Sequence, residues 1–330
     1  MNRIVKIKEK IGVVIPCYKV KNQILDVLRN IPDIVDYIYV VDDACPEMTG
    51  RHVEENVTDS RIQVILHDKN KGVGAAVMSG YLAAIKQGVE VIVKIDGDGQ
   101  MDPQLISKFI YPIILGEADY TKGNRFYNLD EIRQMPLMRL IGNGILSFLT
   151  KFSTGYWGLF DPTNGYTAIH AKTASILPFK RISNRYFFES DMLFHLNTIR
   201  AVVVDVPMDA KYEDEVSNLK ISKILGEFLY KHLRNFVKRI FYSYYLRDFS
   251  IASIELPLGL LMTSFGVIYG ILSWSESLKL GIETSAGTVM LSALPILIGT
   301  QLILAFLNHD ISTVPNRALH KSLGEYKCIK

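Results

Sequence analysis

Two apolar stretches set the first limit on this chain: IELPLGLLMTSFGVIYGILSW at 254–274 and GTVMLSALPILIGTQLILAFL at 287–307. Each has about 20 residues, enough for a helix to cross a hydrocarbon core of about 30 Å. Gly259, Gly266, Gly270 and Pro295 would weaken a helix in water but are tolerated in lipid, where neighbouring helices satisfy the freed backbone groups. The connector SESLKLGIETSA carries a single lysine, whereas both flanks are basic and the last one holds Arg317, Lys321, Lys327 and Lys330. By the positive-inside tendency both termini lie on the cytoplasmic face of an inner or plasma membrane. The expected division is a cytoplasmic domain at 1–215, basic amphipathic juxtamembrane helices at 216–250, two transmembrane helices within 251–310, and a cytoplasmic tail at 311–330.

Ahead of these stretches, strand-length apolar runs alternate with helical patterns, as in β-α-β units around a mostly parallel sheet. The strand candidates are IGVVIP (11–16), YIYVVDD (37–43), RIQVILHD (61–68) and VEVIVKIDGD (89–98), with helices expected at 20–31, 50–58 and 74–87. The last of these helices has small residues that allow close packing on a sheet. At 219–249, apolar residues recur at helical spacing, with Lys220, Lys223, Lys231, Arg234, Lys238, Arg239 and Arg247 among the other positions. Beside a membrane-like stretch, that pattern reads as an interfacial helix drawn to anionic lipid headgroups.

A net charge of +3 with no arginine-rich arm gives no argument for nucleic acid, and none is expected as a partner. Cys17, Cys45 and Cys328 have neither even number nor C-x-x-C spacing, which excludes a disulfide framework or structural zinc site and suits a reducing compartment. The N-terminus MNRIVKIKEKIGVVIP has only a short apolar run before Pro16 and reads as a lead-in to the first strand.

Three strand candidates end in polar or acidic residues: Asp42 and Asp43, His67 and Asp68, Asp96 and Asp98. Ligands of open α/β sheets bind at the carboxyl ends of strands, so these groups are expected to converge on one crevice, although aspartate also serves as a helix cap or turn residue. In VIVKIDGDGQMDP, Asp96, Asp98 and Gln100 offer oxygen ligands at alternate positions past a strand end. Such a set suits a hard cation, Mg²⁺ or Mn²⁺, with remaining sites open to a substrate diphosphate. The stretch DKNKGVGAAVMSG lacks the third glycine of a dinucleotide fingerprint and follows the third strand, which argues against a Rossmann oxidoreductase. What it retains is a glycine turn opening a helix, where backbone N–H groups and Lys71 can meet phosphate. His170 and His195 have no partner at metal-ligand spacing and read as structural residues.

Together, VVIPCYK, VVDDACPEMTG, NKGVGAA, DGDGQMDP and KGNRF resemble, in order and spacing, the family 2 glycosyltransferases with the GT-A fold. The nearest likeness is to polyprenyl-phosphate glycosyltransferases of the dolichol-phosphate mannose synthase and bacterial membrane-anchored type. It covers the region through about residue 215, and the amphipathic segment with its two apolar helices matches the anchored members. The resemblance implies that Pro16, Tyr18 and Asp43, with Asp42 beside it, form the nucleoside end of the donor site. Asp96, Asp98 and Gln100 then form the metal and diphosphate set, and Arg125 and Arg139 receive the lipid phosphate, a role suited to the planar guanidinium fork. Lys211 stands where relatives usually have another arginine. Glu189 and Asp191 in FFESDMLFHL fall where other family 2 enzymes place an acid pair, and Asp191 is taken as the site residue, positional or weakly basic. Alternatively, the two acids only cap a helix.

The implied reaction is inverting transfer of a hexose from a nucleotide sugar, UDP-glucose first and GDP-mannose next, to polyprenyl phosphate of undecaprenyl or dolichyl type. One alternative is a family 2 enzyme that extends a lipid-linked glycan or polysaccharide hydroxyl, and a second is a non-catalytic membrane protein with a degenerate transferase domain. The glycine-bearing apolar helices permit association into a homo-oligomer.

Overall fold

The computed structural model describes residues 8–127, 137–209 and 221–325. The chain divides into two compact units, Met1–Phe236 with Pro315–Lys330, and Val237–Val314.

In the first unit the described strands are β1 (Ile11–Cys17), β2 (Tyr37–Asp42), β3 (Ile62–Leu66), β4 (Val91–Lys94), β5 (Tyr120–Asn124), β6 (Thr167–His170) and β7 (Val203–Pro207). They form one sheet in the order β3-β2-β1-β4-β6-β5-β7. β1 pairs in parallel with β2 and β4, β2 with β3, and β5 with β7, while β6 runs antiparallel to both β4 and β5. Every residue of β1 and β4 is buried, as expected of parallel strands covered on both faces. The edge strand β3 has only half-buried and exposed positions.

The helices are α1 (Ile24–Arg29), α2 (Thr49–Asn56), α3 (Val73–Lys86), α4 (Ile106–Leu115), α5 (Leu137–Thr154), α6 (Ala171–Ser175), α7 (Phe188–Thr198) and α8 (Ile221–Phe241). They are followed by α9 (Ala252–Leu280), α10 (Ala286–Ser312) and α11 (Leu319–Glu325). Strands β2, β3 and β4 are shorter than the expected runs. β4 ends at Lys94, so Asp96 and Asp98 lie on the turn beyond it and not on the strand.

The reversed strand positions the site. Lys94 of β4 is opposite Thr167 of β6, so the segment entering β6, residues 161–166, arrives at the carboxyl end of β4. β5 lies antiparallel to β6 and therefore parallel to β4, so it delivers Arg125 at the same edge.

Helix α8, through Phe236, is held to the first unit by polar and aromatic contacts. Ser153 Oγ lies 2.8 Å from His232 Nδ1, Asn235 Nδ2 donates to Asp191 Oδ1 at 2.8 Å, and the Phe152 and Phe236 rings stack at 4.1 Å. Burial pushes the His232 imidazole from 6.5 down to about 4, against the opposing pull of Asp191. Between these values the unfolded chain binds the proton and the folded chain does not, so stability falls as pH is lowered. Urea unfolding of the wild-type protein is expected to lose about 2 kcal/mol between about pH 7 and pH 5 from this group, and His232→Phe to flatten that part of the slope. An unaltered slope in the variant would refute the assignment.

The tail expected at 311–330 is, over α11, part of the first unit. Asp119 Oδ2 accepts from the Leu319 N–H at 2.7 Å and the Val202 N–H at 2.8 Å, while Oδ1 accepts from the His320 N–H at 2.8 Å. The His320 ring nitrogen Nδ1 lies 2.8 Å from the same Oδ1, and the ring stacks on His170 at 4.1 Å. Burial, then His320 and Lys172, push the His170 imidazole down to about 3, in keeping with a structural role.

The second unit holds α9 and α10, both long and apolar enough to cross a membrane and only 11% buried over their most apolar windows. Each helix exceeds its expected span, and the first half of the expected connector forms the last turns of α9. The helices approach at small residues, since a Cβ added to Gly259 would sit 2.9 Å from the Gly299 carbonyl oxygen. Arg239, expected among the polar positions facing headgroups, is instead 3% exposed and bidentate on Asp310, at 2.6 and 3.0 Å. Tyr244 donates its hydroxyl to the same carboxylate at 2.6 Å, so this charge pair is an internal clasp.

Candidate active site

At the carboxyl ends of β1, β2 and β4 lies a cavity of about 360 Å³. Pro16, Tyr18, Asp43, Asp96 and Asp98 all line it, so the sequence-expected donor residues are brought together. Gln100 and the Lys71 side chain are not among its lining residues. The Gln100 backbone N–H instead donates to Asp98 Oδ1 at 3.0 Å, and the Lys71 N–H to Asp43 Oδ1 at 2.9 Å.

The adjacent aspartates after β2 have separate tasks. Asp42 accepts the Cys45 and Gly50 N–H groups, each at 2.6 Å, and so shapes the loop into α2. Asp43 accepts the Gly72 N–H at 2.7 Å, and His67 Nδ1 lies 2.7 Å from its other oxygen. It thereby fixes the turn that opens α3. Gly72 has φ +99°, and an added Cβ would collide with the Asn184 carbonyl oxygen, so only glycine fits there.

Beneath the cavity, Lys94, Thr167, Lys122 and Asp205 occupy one row across β4, β6, β5 and β7. Sequence reasoning missed this row. Lys94 Nζ lies 2.7 Å from Asp96 Oδ1 and 4.0 Å from Glu189 Oε1, while Lys122 Nζ donates to the Asn164 carbonyl. Burial alone would pull Lys94 down, but Asp96, Glu189 and Asp98 together hold its ammonium above the usual lysine value. For Lys122 burial prevails and pushes the ammonium down to about 8. Burial raises the Glu189 carboxyl above its ordinary range, although the two lysines oppose the shift. The available signal was a lysine inside each of two otherwise buried strand runs, VIVK and YTKGN. Gly165 passes so close that a Cβ there would strike Lys94 Nζ and lie 2.7 Å from Asp96 Oδ2.

On the other side, Arg125 forms a two-point pair with Asp161, Nε to Oδ2 at 2.8 Å and Nη2 to Oδ1 at 3.0 Å. Asp161 is 1% exposed, and burial tends to raise its carboxyl, but Arg125 holds it below the usual range. Arg139 belongs to α5, with its side chain outside the described residues, as is all of Lys211. Asp191, expected to be positional or weakly basic, is 1% exposed: Oδ2 accepts the Ser183 N–H and hydroxyl at 2.8 Å each, and Oδ1 accepts from Asn235. Its oxygens anchor loops and helices, and the acid of the pair that approaches Lys94, the partner of Asp96, is Glu189. Other cavity residues unmarked in the sequence reading are Asn70, Arg185 and Tyr186.

For a divalent cation, the carboxylates of Asp96 and Asp98 are a hard-oxygen pair on one turn and fit such an ion. Among the described residues no third His, Cys, Asp or Glu joins them, so other ligands would come from water and substrate oxygens, the usual habit of Mg²⁺.

A carboxylate-lined crevice at the strand ends of a mostly parallel sheet with one reversed strand defines a nucleotide-sugar transferase of the GT-A kind. The chain belongs to glycosyl transferase family 2, whose sequence profile matches residues 12–175, and it is a glycosyltransferase. It is 30% identical over 218 residues to the UDP-N-acetylglucosamine–dolichyl-phosphate N-acetylglucosaminyltransferase of Methanococcus voltae, covering 62% of this chain and 86% of that protein. It is 27% identical over 193 residues to the polyprenol monophosphomannose synthase of Mycolicibacterium smegmatis, covering 58% and 71%. Among solved structures, glucosyl-3-phosphoglycerate synthase from Mycobacterium tuberculosis in complex with UDP has the same fold, with TM-score 0.53, 18% identity and coverage of 70% and 80%.

Proposed function

We propose that this protein is a membrane-anchored inverting glycosyltransferase that moves a hexose from a nucleotide sugar to polyprenyl phosphate on the cytoplasmic face. The observation that carries this reading is the single cavity that gathers Tyr18, Asp43, Asp96 and Asp98. Relatives named for transfer to dolichyl and polyprenol phosphate support the acceptor class. The helices α9 and α10 support a membrane anchor, as a lipid acceptor requires. In this reading residues 1–215 are the catalytic domain, 216–250 the interfacial region, 251–310 the spans, and both termini are cytoplasmic.

Tyr18 and Asp43 hold the nucleoside end of the donor, and Asp96 and Asp98 would hold Mg²⁺ or Mn²⁺ with its diphosphate. When bound, the cation neutralises charge that develops on the departing nucleoside diphosphate. Arg125, oriented by Asp161, meets the acceptor phosphate, joined by Arg139 and Lys211. The lipid phosphate attacks the anomeric carbon from the face opposite the leaving group and inverts it. A phosphate monoester, whose second pKa is about 6, is already largely dianionic and needs no strong base. The buried, fully engaged Asp191 is consistent with that, as a positioning residue between α7 and α8.

The deciding experiment incubates purified protein with UDP-N-acetylglucosamine, UDP-glucose or GDP-mannose, Mg²⁺ and a short-chain polyprenyl phosphate. Likeness to the Methanococcus relative brings UDP-N-acetylglucosamine beside UDP-glucose at the head of the screen. An acid-labile labelled lipid phosphate is the expected product. Label found only in an alkali-stable glycan would instead establish a hydroxyl acceptor.

A further inference from the structure

Residues 183–187 cross the start of α3 on the way into α7. Asn184 accepts the Gly74 N–H through its carbonyl at 2.9 Å, and Ser183 is tied to Asp191 through both its N–H and its hydroxyl. Phe187 follows at 2% exposure. The backbone is thus fixed on either side of Arg185 and Tyr186, whose side chains are exposed and line the donor cavity. The Arg185 stem lies over the α3 entry, where a Cβ on Gly72 would be 2.8 Å from Arg185 Cγ.

The carboxylates of this cavity already have donors within the fold. Asp43 takes the Lys71 and Gly72 N–H groups, Asp96 takes Lys94, and Asp98 takes the Gln100 N–H. Arg185 has no carboxylate partner among the described residues. A guanidinium held over a carboxylate-lined cavity without pairing to it is suited to an anion that arrives from outside. The N-terminal end of the 14-residue α3, whose Val73 lines the cavity, adds the positive end of its dipole at the same place.

Building on the proposed function, we infer that Arg185 binds the phosphoryl oxygens of the donor's nucleoside diphosphate. Asp96 and Asp98 together balance the charge of one divalent cation, which leaves the diphosphate's own charge to be met by other groups. Arg185 meets it with a planar fork that can engage two oxygens, and it stabilises the leaving group as the glycosidic bond breaks. Phosphoryl oxygens also occur on the acceptor lipid, so the test must separate the two sources.

Full-length wild-type, Arg185→Ala and Arg185→Lys proteins are titrated with UDP and with GDP in MgCl₂, and transfer is assayed with the polyprenyl phosphate concentration varied. For whichever diphosphate the wild-type protein binds, Arg185→Ala is expected to raise Kd about 10- to 100-fold, the range for charge-assisted hydrogen bonds. Arg185→Lys should recover part of this loss, and KM for polyprenyl phosphate should stay within about twofold. An unchanged diphosphate Kd in Arg185→Ala, with wild-type binding intact, overturns the inference alone. A loss confined to KM for the lipid phosphate also overturns it and gives the guanidinium to the acceptor. If the wild-type protein binds neither diphosphate and transfers no sugar, the underlying reading fails and the inference with it. Equal melting temperatures of the three proteins exclude misfolding as the cause of a loss.

Discussion

Asp98→Asn is expected to retain less than about 1% of wild-type sugar transfer to polyprenyl phosphate at saturating Mg²⁺. The substitution is nearly isosteric and leaves an oxygen to accept the Gln100 N–H, so the turn after β4 should keep its shape. What it removes is one of the two carboxylate charges on the cavity-lining turn. The deficit should therefore appear as lost turnover and a raised Mg²⁺ requirement, with an unaltered melting temperature. Transfer at the wild-type rate would sink the cation assignment.

Lys94→Met is expected to have the largest effect on the fold. Asp96 Oδ1 would lose its ammonium partner at 2.7 Å, and Glu189 would lose a nearby counter-charge. Asp96 is partly exposed on the cavity wall and can turn to water, so the cost falls mainly on Glu189 and amounts to about 1–3 kcal/mol. Urea unfolding should register this as a lower midpoint with an unchanged slope. Glu189→Gln removes one of the stranded charges, so the double variant should be less damaged than the sum of the two single ones. Strict additivity would show that Lys94 and Glu189 are not coupled. Arginine is a poor substitute, since Gly165 passes against the ammonium and leaves no space for a guanidinium.

The sequence made the donor side legible because its information is local. Buried runs such as IGVVIPC and VIVK mark parallel strands, and Asp43, Asp96 and Asp98 follow strand ends directly, where the fold collects them. What escaped depends on distant pairing. Lys94 and Lys122 become neighbours only because β6 reverses between β4 and β5, and a single sequence does not reveal that reversal. Asp191 was legible by type and place, but Ser183 and Asn235, which occupy its oxygens, come from other elements and could not be read with it. Arg239 looked like a headgroup contact because Asp310, its partner, lies near the far end of the second apolar helix, α10. Arg185 sat in a stretch without periodicity, and only the backbone ties of its neighbours direct it to the cavity.

The docking of α11 bears on how a soluble catalytic fragment should be cut. Ending the chain at residue 236 would remove the apolar pair but also Leu319 and His320, which supply two backbone N–H groups and an imidazole to Asp119. The Val202 N–H and the Thr173 hydroxyl would be left to satisfy a fully buried carboxylate. A sounder excision replaces 237–314 with a hydrophilic linker and keeps 315–325. The apolar hairpin is in this sense an insert near the end of a discontinuous domain, and the short helix beyond it is a piece of that domain that must be carried along.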